Sequence, residues 1–248
     1  MCSRTFGIKM RPASLLVIAG GVGSRLQPAV STVPKPLAPV VNRPYLHYLL
    51  DNWLAQGVTS LIFLLHHQAG LIEAFLEREQ DLGRPLVNCS VRILTEPQPL
   101  GTGGAIAYAV QQLQITGSFL ATNADTWLGS GIKQISEASE PAMAVVRVDN
   151  SDRYGKVRIE RNVVVGFDEK RNGAGAAWIN AGLYHLNAAQ FQDWDGRAFS
   201  LEREMFPALA STGKLSAVPL ETEFIDIGVP KDYFRFCSWI ESGKSSAL

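Results

Sequence analysis

Over its first 150 residues the chain alternates short apolar runs with amphipathic stretches, and few folds accept that rhythm. Leu15–Ala19, Ser60–Leu65, Val91–Thr95, Ser118–Thr122 and Ala142–Val148 read as strands buried on both faces. Between them Tyr45–Gln56, Ala69–Glu79 and Gly103–Gln112 have helical spacing; in the second, Leu71, Ile72, Phe75 and Leu76 mark one face. This order predicts an α/β fold, a mostly parallel sheet with helices on both sides. After Asn150 the texture changes. Gly155–Ile159 and Val163–Phe167 read as a hairpin, Ala177–Leu186 as a strand and Leu201–Ser211 as a helix. Leu215–Leu220 and Phe224–Ile227 read as short strands, and a last helix opens at Pro230. No linker or repeat divides the chain. The expectation is one domain over 1–248, its first half at 15–148 and its second at 149–241, with an N-terminal extension (1–12) and a polar tail (242–248).

Composition removes several classes of function. Hydrophobic residues are 46% of the 248, enough for a core. Lys+Arg and Asp+Glu are 23 each, so no global positive field exists to hold nucleic acid or an anionic membrane. Cys2, Cys89 and Cys237 are too scattered for a disulfide framework or a zinc site. The apolar runs are too short to cross a bilayer, and the N-terminus lacks the apolar core of a secretory signal. A soluble cytoplasmic protein is expected, with no nucleic acid or membrane partner; homo-oligomerisation is left open.

The chemistry starts at Ala19-Gly20-Gly21-Val22-Gly23-Ser24-Arg25, directly after the first strand. A glycine-rich turn at the carboxyl end of a parallel strand lets backbone N–H groups approach phosphate oxygens with no Cβ in the way. GxxxxGK[ST] is absent, and Leu26 stands where GxGxxG needs its third glycine. Arg25 instead follows the loop at once, and Pro34-Lys35-Pro36 comes ten residues later. Prolines on both sides restrict the backbone and aim the lysine. A planar fork and a point charge beside a glycine turn suit a polyphosphate.

Gly20-Gly-Val-Gly-Ser-Arg-Leu-Gln-Pro followed by Val33-Pro-Lys-Pro-Leu-Ala-Pro-Val40 resembles the opening of the sugar-1-phosphate nucleotidyltransferases. Glu96-Pro-Gln-Pro-Leu-Gly101-Thr102-Gly103-Gly-Ala resembles that family's base- and ribose-contacting loop. Thr122-Asn123-Ala-Asp125 and Phe224-Ile-Asp226-Ile-Gly fall where it places two metal aspartates. Phe167-Asp-Glu169-Lys170 resembles its Glu-Lys step, and Ile179-Asn180-Ala-Gly-Leu-Tyr184 its sugar-binding strand. The resemblance spans residues 15 to about 235. It implies a Rossmann-like mixed, mostly parallel sheet with a small β-rich sugar-binding or lid portion.

The resemblance also implies roles. Ala19 to Ser24 with Glu96, Gly101, Thr102 and Gly103 would hold the nucleotide. Arg25, Lys35 and Lys170 would act in catalysis, and Asn123, Tyr154, Gly155, Glu169 and Asn180 would bind the sugar substrate. Asp125 and Asp226 would ligate Mg²⁺. The chemistry is consistent with this, because an attacking phosphate is already an anion and needs no serine, cysteine or histidine nucleophile. It needs charge neutralisation and in-line positioning of two like-charged reactants. Mg²⁺ typically takes only one or two protein carboxylates.

Taken singly, each residue also has an ordinary structural reading. Asp125 suits a turn after a strand, Asp226 the start of the last helix, and Lys170 a solvated charged run. His66-His67 read as a connecting loop. Ser24, Ala124 and Arg171 depart from the family's more usual Thr, Gly and Pro. The Glu96–Ala105 loop, Arg43-Pro-Tyr-Leu-His-Tyr-Leu-Leu and Phe199-Ser-Leu-Glu202 with Phe206-Pro look like the D-glycero-α-D-manno-heptose 1-phosphate guanylyltransferases. That subgroup implies GTP and a heptose 1-phosphate. The alternatives are mannose 1-phosphate with GTP, or N-acetylmuramate or another hexose 1-phosphate with UTP or CTP. A catalytically silent nucleotide-sugar-binding homologue is the competing class. A nicotinamide oxidoreductase is disfavoured, because the second strand ends in Leu65-His66-His67 without a ribose-binding acid.

Overall fold

The computed structural model describes residues 14–82, 86–168 and 175–243. The chain opens with β1 (Ser14–Ile18), a two-stranded hairpin of β2 (Pro39–Val40) and β3 (Arg43–Pro44), and helix α1 (Tyr45–Ala55). Three β-then-α steps follow: β4 (Ser60–Leu65) with α2 (Ala69–Asp81), β5 (Ser90–Thr95) with α3 (Gly101–Gln112), and β6 (Ser118–Asn123), β7 (Thr126–Leu128) and α4 (Ile132–Ser136). The second half holds β8 (Ala142–Val148), the hairpin β9 (Lys156–Glu160) and β10 (Val163–Asp168), and the long β11 (Ala177–Asn187). A π-helical turn, Leu201–Met205, leads into α5 (Phe206–Ser211); β12 (Ser216–Leu220), β13 (Phe224–Asp226) and α6 (Pro230–Glu241) complete it.

Nine strands form one sheet in the order β5-β4-β1-β6-β11-β8-β12-β10-β9. From β5 to β6 it is parallel, as the alternation of strands and helices requires. It becomes mixed at β11, which runs antiparallel to both β6 and β8. Side chains alternate across the strands, so Leu15 and Val17 face one layer and Leu16 the other. The first layer packs α1, α2 and α6 through Leu46, Leu49, Ile72, Leu76 and Phe236. The second packs α3 and the 191–210 segment through Ile106, Phe191, Leu201 and Phe206. Truncating a fully buried residue such as Phe63 to Ala costs about 3–5 kcal/mol in such layers.

Several local expectations are corrected. β5 is an edge strand whose residues are mostly half-buried or exposed, so it is not covered on both faces. Leu71 is 45% exposed, because the buried face of α2 runs Ile72, Phe75, Leu76 and Glu79, one residue further round. α3 begins at Gly101, two residues before the expected Gly103. The Leu201–Ser211 helix is π-helical in its first five residues.

Candidate active site

Four neighbouring parallel strands end on the same edge of the sheet, and their following residues line one cavity of about 480 Å³. β1 delivers the glycine loop, β4 delivers His66, β5 delivers Glu96, and β6 delivers Asn123 and Asp125. Backbone bonds fix these exits: Ala19 N–H donates to Leu64 O at 2.9 Å, Glu96 N–H to Leu65 O at 2.7 Å, and Ala124 N–H to Ile18 O at 3.0 Å. The carboxyl edge of a parallel sheet is where such folds bind ligands.

Two glycines of the loop are required by what lies next to them. A Cβ on Gly20 would stand 2.7 Å from Glu96 Oε1. Gly23 has φ +65°, and a Cβ there would press on Lys35. Glu96 is buried; Leu100 N–H donates to its Oε2 at 3.0 Å, and burial still pushes its carboxyl above the usual range. The cavity wall includes Ala19, Gly20, Gly21, Val22, Gly23, Ser24, Glu96, Gly101 and Thr102, all expected on the nucleotide side. Gly103 is not in that wall. Its amide donates to Phe199 O at 3.0 Å, and a Cβ on it would come within 2.2 Å of the Phe199 ring.

Asp125 and Asp226 are brought together by a pairing that runs between the halves of the chain. β7 and β13 are antiparallel with Asp226 opposite Thr126, and Ile227 N–H donates to Asp125 O at 3.0 Å. Lys35 hydrogen-bonds and ion-pairs with Asp125 Oδ2, and its Nζ is 3.9 Å from Asp226 Oδ1. Burial raises the Asp125 carboxyl, but the Lys35 ammonium, its hydrogen bond, the Thr126 hydroxyl and Arg25 outweigh it and hold the group below its usual value. Asp226 is pushed up, first by burial and then by the charge of Asp125, against Lys35 and the Gly228 amide, which donates at 2.7 Å.

The donor set fits a small hard cation. Among the described residues no group of three or more His, Cys, Asp and Glu gathers anywhere, so a divalent ion here would take two carboxylates and complete its shell from water and phosphate. Gly228 leaves the required space: a Cβ on it would lie 2.7 Å from Asp226 Oδ1, 3.2 Å from Lys35 Nζ and 3.4 Å from Arg25 Nη2. The Tyr45 hydroxyl is buried without a partner, and burial with the nearby charges of Asp125 and Asp226 raises it well above the usual phenol value.

A second, larger cavity of about 1060 Å³ adjoins the first. Arg25 lines both, Asp125 and Gly228 line the first, and Asp226 lines the second. Tyr154, Gly155 and Asn180, all expected on the sugar side, line the second. Asn180 Nδ2 donates to Tyr184 Oη at 2.8 Å, and its Oδ1 accepts from Gly182 N–H at 2.8 Å, which fixes the amide. Asn123, also expected on the sugar side, lines the first cavity. Glu169 and Lys170 lie outside the described residues.

Sequence reasoning missed Gly228, Tyr45, Glu202, His66 and the Arg153–Asp232 pair. That pair ties the loop before Tyr154 to α6, with Arg153 lying 4.7 Å over the Tyr154 ring. Tyr45, Glu202 and Gly228 each stand inside a stretch that carries the family resemblance, but nothing local assigned them a role.

A glycine loop, an arginine and two carboxylates at the carboxyl edge of a doubly covered sheet define a nucleotide-sugar transferase type of fold and site. The chain belongs to the nucleotidyl transferase family, whose profile matches residues 14–242. It is 31% identical to HddC from Yersinia pseudotuberculosis, whose crystal structure superposes with a TM-score of 0.80 over 92% of this chain and 99% of that one. HddC has also been solved in complex with GMP-PN. The D-glycero-α-D-manno-heptose 1-phosphate guanylyltransferase of Campylobacter jejuni is 29% identical, over 89% of this chain and 97% of that protein. A mannose-1-phosphate guanyltransferase of Aspergillus fumigatus is 32% identical over 88% of this chain. The chain spans 61% of the length of that fungal protein. No described helix is long and apolar enough to cross a membrane.

Proposed function

We propose that this chain transfers a nucleoside monophosphate unit from an NTP, with GTP favoured, to a sugar 1-phosphate, releasing pyrophosphate. One observation carries the reading: Arg25 and the Asp125–Asp226 pair stand at the junction of the two cavities, where two phosphorylated reactants would meet. The sugar phosphate oxygen attacks the α-phosphorus, the P–O bond to the β-phosphate breaks, and the electron pair leaves with pyrophosphate. No proton has to be removed from the nucleophile.

The chain's work is positioning and charge. The loop from Gly20 to Gly23 offers backbone amides to phosphate oxygens. Arg25, shared by both cavities, neutralises charge at the reacting phosphorus and on the departing group. Asp125 and Asp226 would hold Mg²⁺, which when bound neutralises phosphate charge that the side chains alone leave uncompensated. Lys35, already on the aspartates, supports the same cluster. Lys170 and Glu169 would grip the incoming sugar phosphate. Residues 15–148 serve mainly the nucleotide and 149–241 mainly the sugar phosphate, working as one unit in the cytoplasm, where nucleoside triphosphates are available.

Guanine is favoured because two relatives that are 29% and 31% identical and matched over nearly their whole length are a heptose 1-phosphate guanylyltransferase and HddC, the latter solved with a guanine nucleotide. D-glycero-α-D-manno-heptose 1-phosphate is therefore the leading acceptor. Mannose 1-phosphate is the second, through the fungal relative. The test is pyrophosphate release with the four NTPs crossed against heptose, mannose, glucose and N-acetylmuramate 1-phosphates, with Mg²⁺ and with EDTA. Turnover is expected with GTP and a manno-configured acceptor, and only with the metal. No turnover in any combination would leave a silent nucleotide-sugar binder.

A further inference from the structure

Glu202 stands in the wall of the second cavity, on the π-helical turn, and among the described residues its carboxylate is half occupied. Oε2 accepts from the Thr102 hydroxyl at 2.7 Å and from the Ser200 hydroxyl at 2.7 Å. Thr102 belongs to the first cavity, and its own Oγ1 accepts from Leu201 N–H at 2.9 Å. Among the described residues, Oε1 has a single, long contact, 3.4 Å from the Tyr184 hydroxyl. That phenol is fully buried, and burial together with the Glu202 charge raises it well above the usual value, so it stays a neutral hydroxyl.

A carboxylate offers about four acceptor positions, and two short bonds fill those of Oε2. Oε1 keeps acceptor capacity among the described residues, on a side chain that lines a cavity also lined by Asn180, whose amide is bonded to Tyr184. The group is also held still: three hydroxyls from three separate segments surround it, so its position is set before any ligand arrives.

We propose that Glu202 is a specificity-determining residue that accepts a hydrogen bond from one ring hydroxyl of the sugar through Oε1. The assignment rests on the second cavity taking the sugar phosphate. It gives the pocket two preferences. A sugar lacking that hydroxyl leaves a desolvated carboxylate oxygen unpaired, the situation in which binding sites discriminate most strongly. A sugar carrying a carboxylate at that position meets like charge. Neutral heptose or hexose 1-phosphates are thereby favoured over acidic sugars. Because Thr102 holds the other oxygen, the same residue ties the sugar wall to the nucleotide wall.

The test is calorimetric titration of the full chain with mannose 1-phosphate and its 2-, 3-, 4- and 6-deoxy analogues, in the presence of GMP-PN, for wild type and E202Q. Binding is read directly, so the result does not depend on turnover. In the wild type, one deoxy analogue should bind about 10- to 100-fold more weakly than the parent, the range for a hydrogen bond to a charged group. In E202Q that particular penalty should shrink several-fold, with the other analogues and the affinity for GMP-PN unchanged. Should E202Q fold poorly, E202D, which withdraws the carboxylate by one methylene, is read by the same criterion. An unchanged deoxy profile in the variant, or equal losses for nucleotide and sugar phosphate, would overturn the assignment. Absence of any sugar phosphate binding by the wild type would overturn it together with the reading of the cavity, whereas binding without turnover would count against the reaction alone.

Discussion

The main-chain amide of Ile227 donates to the main-chain carbonyl of Asp125 at 3.0 Å, and that bond fixes Asp226 beside Asp125. Backbone pairing, unlike a side-chain contact, tolerates substitution of the side chains it positions. The two carboxylates repel each other, and Lys35 offsets that repulsion by bonding to Asp125 and standing 3.9 Å from Asp226. The site is thus assembled by strand pairing and neutralised by one lysine between two prolines.

Replacing Lys35 with Met should therefore expose the repulsion. The side chain of Lys35 is 10% exposed while that of Asp125 is 35% exposed, so solvent screens part of the effect. Urea unfolding should show a loss of about 1–3 kcal/mol, below the range for breaking a fully buried pair. Added Mg²⁺ should stabilise K35M more than the wild type, since the cation takes over the neutralising role. A variant as stable as wild type and indifferent to Mg²⁺ would contradict this role.

Gly228 should not tolerate alanine. The added Cβ would crowd Asp226 Oδ1 at 2.7 Å and the heads of Lys35 and Arg25. Misplacing such groups by a fraction of an ångström to 1 Å costs rate on the order of 100-fold. Steady-state pyrophosphate release should fall by that order in G228A with an unchanged circular-dichroism spectrum. Wild-type rates would mean that the cluster is not under this constraint.

Gly103 makes a different prediction, because it packs against Phe199 and does not line the first cavity. A Cβ there would collide with the Phe199 ring, at 2.2 to 2.6 Å from three of its atoms. G103A should lose about 1–3 kcal/mol of stability, as overpacked sites do. Phe199→Leu should recover part of that loss in the double variant, because contacting residues are not additive. Additive losses in urea unfolding would argue against the contact.

These cases show what the sequence made legible. β1, β4, β6 and β8 were readable because strands inside a sheet covered on both faces are apolar over most of their length. β5 misled because an apolar run says nothing of whether a strand has a neighbour on each side. β7 was invisible: Thr126-Trp127-Leu128 is too short for a period, and it forms only because β13 arrives from far along the chain. The glycine loop, Arg25, Lys35 and both aspartates were found because phosphate chemistry restricts residue type locally. Glu202 escaped because its partners come from separate segments. α3 begins two residues before the expected Gly103 because Phe199 O accepts from the first-turn amides of Gly103 and Gly104 at 3.0 and 3.3 Å, which lets Gly101 and Thr102 join the helix ahead of them.

Glu96 gives a pH dependence with a definite sign. Burial raises its carboxyl, so the folded chain holds that proton more tightly than the unfolded chain. Stability then falls as pH rises from the ordinary glutamate value through the raised one, and the cost persists above it. E96Q removes the ionisation and keeps an acceptor for Leu100 N–H. The stability of E96Q relative to wild type should be larger at about pH 8 than at about pH 4, where both forms are largely neutral. Urea unfolding at the two values checks this; a pH-independent difference would remove the burial argument.

The most direct measurement is the initial rate of pyrophosphate release from GTP and a manno-configured sugar 1-phosphate at saturating Mg²⁺, for wild type, Asp125→Asn and Asp226→Asn. Each variant keeps the size of the side chain and the backbone pairing of β7 with β13, so both should remain folded. Each should lose about two or more powers of ten in rate, as expected when charge stabilisation at a reacting phosphate is removed. Wild-type-like rates in both folded variants would contradict a carboxylate-held metal at the junction of the two cavities.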